Sequence, residues 1–401
     1  MRTEVAVVGA GPAGLIAARE LALKGVEVTV FEEHPVIGEP SHCAGVLSVE
    51  GLQRLGVDPS PDFVQHEVRG GTVYSPGGAS IRIAGSRTRA YVVDRAAFDR
   101  HLADMAHDRG AVIRKGYRIA ELTVQNGHVV GVRGDEGATP AGTVIDGEGA
   151  GGSLARKLGL PRPTDGVLSG MNVEVSGVDL EPHMAEVWLG RDLAPGLFAW
   201  VIPTGERTAR CGLACACGDA IERLSAFLGR RFGEVERSEP RGWPVLTGGP
   251  IDRTFSDGLL LVGDVAGQAK PTTGGGVIMG GLCAIEAART AAAALEAGDA
   301  SARFLGRYER AWKEALGDEF SAMLGIRGFV NKLSDDRLER LLDSAKRAGL
   351  EEELEALVDR GDMDMQSGVL RSALAHPGLL RVLAGSLGRL ALGELRGLFK
   401  V

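Results

Sequence analysis

Residues 4–14 read EVAVVGAGPAG, a Val-rich apolar run followed at once by glycines in the spacing G-x-G-x-x-G. A short run rich in β-branched residues is the pattern of a strand buried on both faces of a parallel sheet. Leu15 to Lys24 reads as a helix closed by Gly25, and Val26 to Phe31 as a second strand ending in Glu32 and Glu33. The whole is a strand–turn–helix–strand unit. Gly9 makes the tight turn, Gly11 lets the backbone approach a pyrophosphate, and Gly14 permits close helix–strand packing. Pro12 and Ala13 open a helix whose N-terminus faces the phosphates. Glu32 follows Gly14 by 18 residues, where its carboxylate can accept ribose hydroxyls. The pattern predicts a dinucleotide site, for FAD or NAD alike at this point.

Composition excludes several other classes. The chain has 401 residues, enough for two or three domains. Glycine, at 59 residues, is about twice its usual share and falls in short clusters, as in turns that approach a ligand. A net charge of −8 and only 5% aromatics argue against a nucleic-acid partner. No uninterrupted apolar run reaches the roughly 18–20 residues of a membrane span, and the N-terminus shows no secretory signal. Five cysteines with no C-x-x-C pair point to a reducing cytoplasm without a disulfide framework.

Further along, residues 34–62 read as irregular and 66–93 as strands separated by turns. Asp94 to Arg109 reads as a helix with Phe98, Leu102 and Met105 on one face. Val112 to Arg133 is strand-like, with Asn126-Gly127 as a hairpin turn. Residues 167–245 alternate as in an antiparallel sheet, with one helix near 219–231. From 301 onward the chain reads as helical; Ser334 to Gly349 carries clear start and stop signals. The expected fold class is α/β (α+β overall). A Rossmann-like FAD-binding domain covers 1–65, 94–165 and 250–300, an antiparallel-sheet substrate domain 66–93 and 166–249, and a helical region 301–401.

A second signal decides between the dinucleotides. Leu259 to Gly263 is another buried-strand pattern, and it ends in Asp264. A carboxylate there needs donors, and a ribityl chain offers hydroxyls. Pro271-Thr272-Thr273-Gly274-Gly275-Gly276 follows, a turn whose backbone N–H groups at a helix start suit the negative charge of a reduced flavin. The combination points to FAD.

With these motifs in place, the sequence resembles the geranylgeranyl reductase family, within the flavoprotein superfamily of para-hydroxybenzoate hydroxylase. The resemblance runs over residues 9–276. It is carried by Gly9 to Gly14 with Glu32, Glu39 to Gly45, Tyr91 to Arg95 with Phe98, Asp99 and Leu102, and Gly263-Asp264 with Pro271 to Gly276. Pro195, Phe198, Trp200 and Pro203 complete it. The segments more specific to the reductases are His42-Cys43-Ala44-Gly45 and Pro-x-x-Phe-x-Trp-x-x-Pro. The resemblance implies FAD bound by Gly9, Gly11, Pro12, Ala13, Gly14, Glu32, Glu33, Cys43, Ala44, Gly45, Arg95, Ile119, Asp264, Gly275, Gly276 and Val277. It also implies His42 and Cys43 beside the flavin as catalytic residues, and Phe198 and Trp200 along a substrate tunnel. The implied reaction saturates C=C bonds of geranylgeranyl chains, first of archaeal-type ether glycerophospholipids. Prenylated quinones or chlorophyll precursors are the alternative substrates. Electrons would come from an external donor such as NADPH or ferredoxin. The rival readings are an aromatic hydroxylase of the same fold and a non-catalytic electron carrier or membrane adaptor.

This chain departs from the family where Phe198 stands for a usual Tyr and Ile202 for a usual Phe. The superfamily's Asp-Gly motif fits Asp146-Gly147 by identity and Glu148-Gly149 by its distance to Arg156. Gly147 to Gly152 also fits G-x-G-x-x-G, with Glu174 beyond it, which by itself would suggest a second nucleotide domain. Cys211, Cys215 and Cys217 alternate along a strand and read as small core residues, without a metal. Residues 377–401 carry Arg381, Arg389, Arg396 and Lys400 against Glu394 among leucines. They read either as core-packed helices or as a peripheral contact with the cytoplasmic membrane face.

Overall fold

The computed structural model describes residues 2–216 and 218–399. Its first sheet places four parallel strands side by side, in the order Leu259–Leu261, Gly137–Asp146, Thr3–Val8, Val28–Phe31. Val112–Arg114 adds a fifth parallel strand beyond Val28–Phe31. Val8 is in register with both Phe31 and Asp146, and Asp146 with Leu261. Four strands therefore end level, and Glu32, Gly9, Gly147 and Val262 are the four residues that leave the sheet. At about 4.8 Å per strand, the row is roughly 14 Å long.

The helix Pro12–Leu23 starts directly above this row and packs on Val277–Ala297 in one continuous core. By length and composition alone Val277–Ala297 could cross a membrane, but 67% of its apolar window is buried inside the fold. Broken runs of glycine and alanine hid this in the sequence. Gly280 and Gly281 let the helix lie against Gly263 and Ile16. The Ala302–Val330 helix is fastened to the same sheet: the Tyr308 hydroxyl donates to Leu261 O at 2.8 Å and Trp312 Nε1 to Thr254 Oγ1 at 3.1 Å.

A second sheet of eight strands, built from residues 70–84 and 167–246, is antiparallel except where Met184–Trp188 runs parallel to Gly70–Tyr74. Alternation divides its side chains. Ala199, Val201, Cys211, Leu213 and Cys215 face the helix Ala220–Phe232. Trp200, Ile202 and Ala214 face a third, three-stranded sheet of Val46–Ser48, Ala90–Val93 and Val64–Val68. Cys211 and Cys215 are thus core residues, and burial pushes the Cys211 thiol up. Cys217 lies outside the described residues.

The irregular reading of 34–62 is corrected in part: it holds the strand Val46–Ser48 and the helix Val49–Arg54. Both are too short for periodicity to register. The Ser48 hydroxyl caps the helix by accepting from Gly51 N at 2.9 Å. The six helices from Ala302 to Phe399 build two further small cores, one of them against Ile81 of the second sheet, while the first half of Ala302–Val330 packs in the main core. Leu379, Leu387 and Leu395 turn inward, onto this chain's own helices. Lys400 lies outside the described residues.

Gly14 carries the tightest test of this packing, because a Cβ there would run into the Gly9 carbonyl. Gly14→Ala is expected to destabilise by roughly 1–3 kcal/mol. Gly229→Ala, at an exposed helix position with open space around it, should instead stabilise by about 1 kcal/mol. Thermal unfolding of both variants checks the pair; an unchanged midpoint in Gly14→Ala contradicts the packing.

Candidate functional site

The row of strand ends forms the floor of a cavity of about 720 Å³, within the roughly 300–1,000 Å³ range of cofactor sites. Most of the residues singled out from the sequence line it: Gly9, Gly11, Pro12, Ala13, Glu32, Glu33, His42, Cys43, Arg95, Ile119, Asp264, Gly275, Gly276 and Val277. Gly14, Ala44, Gly45, Phe198 and Trp200 do not reach its wall. Gly14 works from beneath, by the close approach described above.

Glu32 stands at one end. Its carboxylate accepts Ala10 N at 2.7 Å, His34 N at 2.9 Å and is 2.6 Å from His34 Nδ1. It therefore braces the glycine turn, with lone-pair capacity left for a ribose hydroxyl. Asp264 stands at the other end, three strands away. Burial raises its pKa and the charge of Arg95 only partly offsets this, with no hydrogen bond contributing. An unpartnered carboxylate facing a cavity suits a ligand that brings hydroxyl donors. A Cβ on Gly276 would lie 2.6 Å from Asp264 Oδ1, and one on Gly9 2.5 Å from Gly147 O. The bare backbone is what leaves room, and the donor set fits an extended dinucleotide from Glu32 to Asp264.

The second glycine cluster belongs to this same cavity. Gly147, Glu148, Gly149 and Gly151 line it, beside the first motif. The Glu148 carboxylate turns back to its own chain, accepting from Ser153 Oγ and Leu154 N at 2.7 Å each. Asp146 is fully buried; Oδ1 accepts Glu148 N at 3.0 Å, and Oδ2 has no partner among the described residues. Burial, reinforced by the Glu148 charge, raises its pKa well above the carboxylate range.

At the Asp264 end the His42–Gly45 loop closes over Arg95. Arg95 donates to both Asp99 oxygens, at 3.0 and 3.1 Å. Burial works against its charge, but Asp99 and the adjacent Cys43 sulfur outweigh that and hold the guanidinium protonated. Asn172 ties the loop down: its Nδ2 donates to His42 O at 3.0 Å and its Oδ1 accepts Trp200 Nε1 at 2.9 Å. Arg210 does the same for Ala44, donating to its carbonyl at 2.9 Å. Gly45, at φ +75°, is needed because a Cβ there would strike that guanidinium. Ala44 and Gly45 thus shape the loop without lining the cavity. Trp200 and Phe198 sit in the core cluster behind it, and the tryptophan on the wall is Trp243, 6.4 Å from Trp200 and 5.6 Å from His42.

Sequence reasoning missed Trp243, His34, Asn172, Arg210 and Lys270 as parts of the site. None belongs to a local motif. Asp99 carried a signal, four residues past Arg95 on one helix.

Residues 2–315 match the family described as FAD binding domain. A digeranylgeranylglycerophospholipid reductase of Methanothermobacter thermautotrophicus is 35% identical over 96% of this chain and 99% of its own. One from Methanocaldococcus jannaschii is 32% identical over 94% and 96%. The crystal structure of a geranylgeranyl bacteriochlorophyll reductase-like protein from Thermoplasma acidophilum superposes with a TM-score of 0.85, at 25% identity, covering 99% of both chains. The chain belongs to the geranylgeranyl reductase family. This reductase family member is a flavin-dependent oxidoreductase, and its cofactor is FAD.

Two outcomes follow for the reductase's site. Asp264→Ala and Glu32→Ala should each weaken FAD binding by about 1.5–3 kcal/mol. FAD retained through gel filtration reports this, and full retention in both variants contradicts the assignment. His42 is open to the cavity yet ringed by protein; burial, then Arg95 and Arg241, lower its pKa against the pull of Pro40 O and Asp99. The folded state therefore binds this proton less readily than the unfolded chain. Its contribution is present above the ordinary value of 6.5 and is lost as pH falls below it. Unfolding midpoints should drop as pH falls below 6.5, and less steeply in His42→Gln; parallel curves would show that His42 is not responsible.

Proposed function

We propose that this protein reduces the isolated C=C bonds of geranylgeranyl chains, those of archaeal-type isoprenoid ether glycerophospholipids. One observation carries the reading beyond the names of its relatives. The Asp264–Gly276 end of the cavity is continuous with an apolar wall of Val46, Leu47, Trp243, Pro244, Leu246 and Ile278. A hydrocarbon chain placed on that wall lies beside the flavin end, out of water.

An isolated alkene is unpolarised, so saturation needs a hydride and a proton delivered to neighbouring carbons. FAD, reduced by an external donor of the NADPH or ferredoxin type, would supply the hydride. The chain's own residues supply the rest. Cys43 is the proton donor: its thiol faces the cavity, and the thiolate left behind pairs with Arg95. Asn172 and Arg210 hold the loop that carries it. The apolar wall orients the chain and excludes water. Phe198 and Trp200 act on the substrate through Trp243, which they back. Contact of the 377–401 segment with the cytoplasmic membrane face belongs to the same proposal and would use the exposed basic side, around Arg381, since Leu379, Leu387 and Leu395 face inward.

Mass spectrometry of lipids from a host that makes geranylgeranyl lipids tests the reading. Expression of this chain should add hydrogen in steps of two per double bond. Cys43→Ala should lower turnover roughly 10²–10⁴-fold with FAD content unchanged, and Trp243→Ala should change which bonds are reduced. Unaltered lipids in the presence of folded, FAD-loaded protein contradict the proposal.

A further inference from the structure

Lys270 brings a second cation to the Asp264 end of the cavity. The glycine turn closes on it: Lys270 N donates to Gly275 O at 3.1 Å, and its carbonyl accepts Gly274 N at 2.7 Å and Thr273 N at 3.2 Å. The side chain lines the cavity and runs beside Gly275, where a Cβ would lie 2.9 Å from Lys270 Cε. Its Nζ is 2.7 Å from Asp364 Oδ1. Asp364 is fully buried and also accepts the Ser48 hydroxyl.

Asp364 comes from far along the chain, in the segment between the helices Glu351–Arg360 and Ser367–Ala375. That segment is fastened down on several sides. Arg54 pairs with Asp362, Arg89 donates to Gly361 O, and Thr272 Oγ1 donates to Gln366 Oε1 at 2.9 Å. The helical region thus delivers one carboxylate to the back of the cavity wall.

A buried ion pair is a costly way to hold two helices together, because both charges give up water. This one is placed where charge will change. Uptake of two electrons and one proton by FAD adds one negative charge at this end. The other ionisable groups there are Arg95 and Asp99, which satisfy each other, Asp264, and Glu39, His42 and Cys43 of the covering loop. A fixed ammonium on the wall stabilises the added charge without reorganising, and the low-dielectric surroundings enlarge the effect.

We propose that Lys270 is a positioning residue whose ammonium sets the reduction potential of the bound FAD, with Asp364 of the C-terminal helical region fixing where that charge stands. The proposal rests on FAD binding and not on the identity of the lipid.

Spectroelectrochemical titration of the holoenzyme, without substrate, tests it. Lys270→Met should lower the two-electron midpoint potential through at least a tenfold loss in the preference for reduced flavin, about 30 mV. Lys270→Arg keeps the charge and should stay near the starting value. Asp364→Asn removes the counter-charge and should move the potential upward. A purely structural pair would weaken FAD retention in both neutralising variants while their potentials stay put or move together, which overturns the proposal. Should Asp364→Asn fail to fold, the Met and Arg variants decide alone: equal potentials at position 270 overturn it. Failure of the lipid reading would leave the predicted shifts in potential as they are.

Discussion

Four parallel strands end at one level, and everything at the site is hung from that row. Phe31, Val8, Asp146 and Leu261 are register partners, so the next residue of each strand enters the cavity at the same height. The row can close only because its turns have no side chains. Gly9 lies against Gly147, and Gly14 against Gly9, at distances that admit no Cβ. Two glycine motifs distant in sequence are thus one structure, a bare backbone ledge with a carboxylate at each end.

The ledge explains how the rest of the molecule is arranged. Helix N-termini from Pro12–Leu23 and Val277–Ala297 point their free N–H groups at it, where a dinucleotide's phosphates and a reduced ring would carry charge. The second and third sheets pack together through Trp200 and Ile202 and hold the His42–Gly45 loop over the Asp264 end. The C-terminal helices are fastened to the strand end by Tyr308 and to the glycine turn by Asp364. Charges at the Asp264 end occur as compensated pairs, Arg95 with Asp99 and Lys270 with Asp364. Asp264 faces the cavity without a hydrogen bond.

Much of this was legible because the site is built from local motifs. Glycine spacing, strand pattern and a terminal acid mark Glu32 and Asp264, and each lies within a few residues of its own turn. The helices Arg95–Asp108 and Ala302–Val330 carry their own caps, Asp94 accepting from Ala97 N at 3.0 Å and Ser301 from Phe304 N at 3.3 Å. What the sequence did not reveal depends on contacts between distant segments. Trp200 was assigned its face by alternation, but what covers that face is a small sheet assembled from three separated segments, so the wall residue turned out to be Trp243. The Lys270–Asp364 pair joins residues 94 positions apart, and no local pattern marks either one. The leucines of 377–401 looked equally suited to a membrane or a core, because an apolar helix stripe is the same in both.

The central claim is that one cavity, laid across four strand ends, holds FAD from end to end. A crystal structure of the FAD complex tests it most directly. The account predicts the adenosine ribose on Glu32, the pyrophosphate over Gly11 to Ala13, the ribityl chain on Asp264, and the ring between Lys270 with Gly275 and the Cys43 loop. A flavin ring at the Glu32 end, or a ring out of reach of both Lys270 and Cys43, would contradict it.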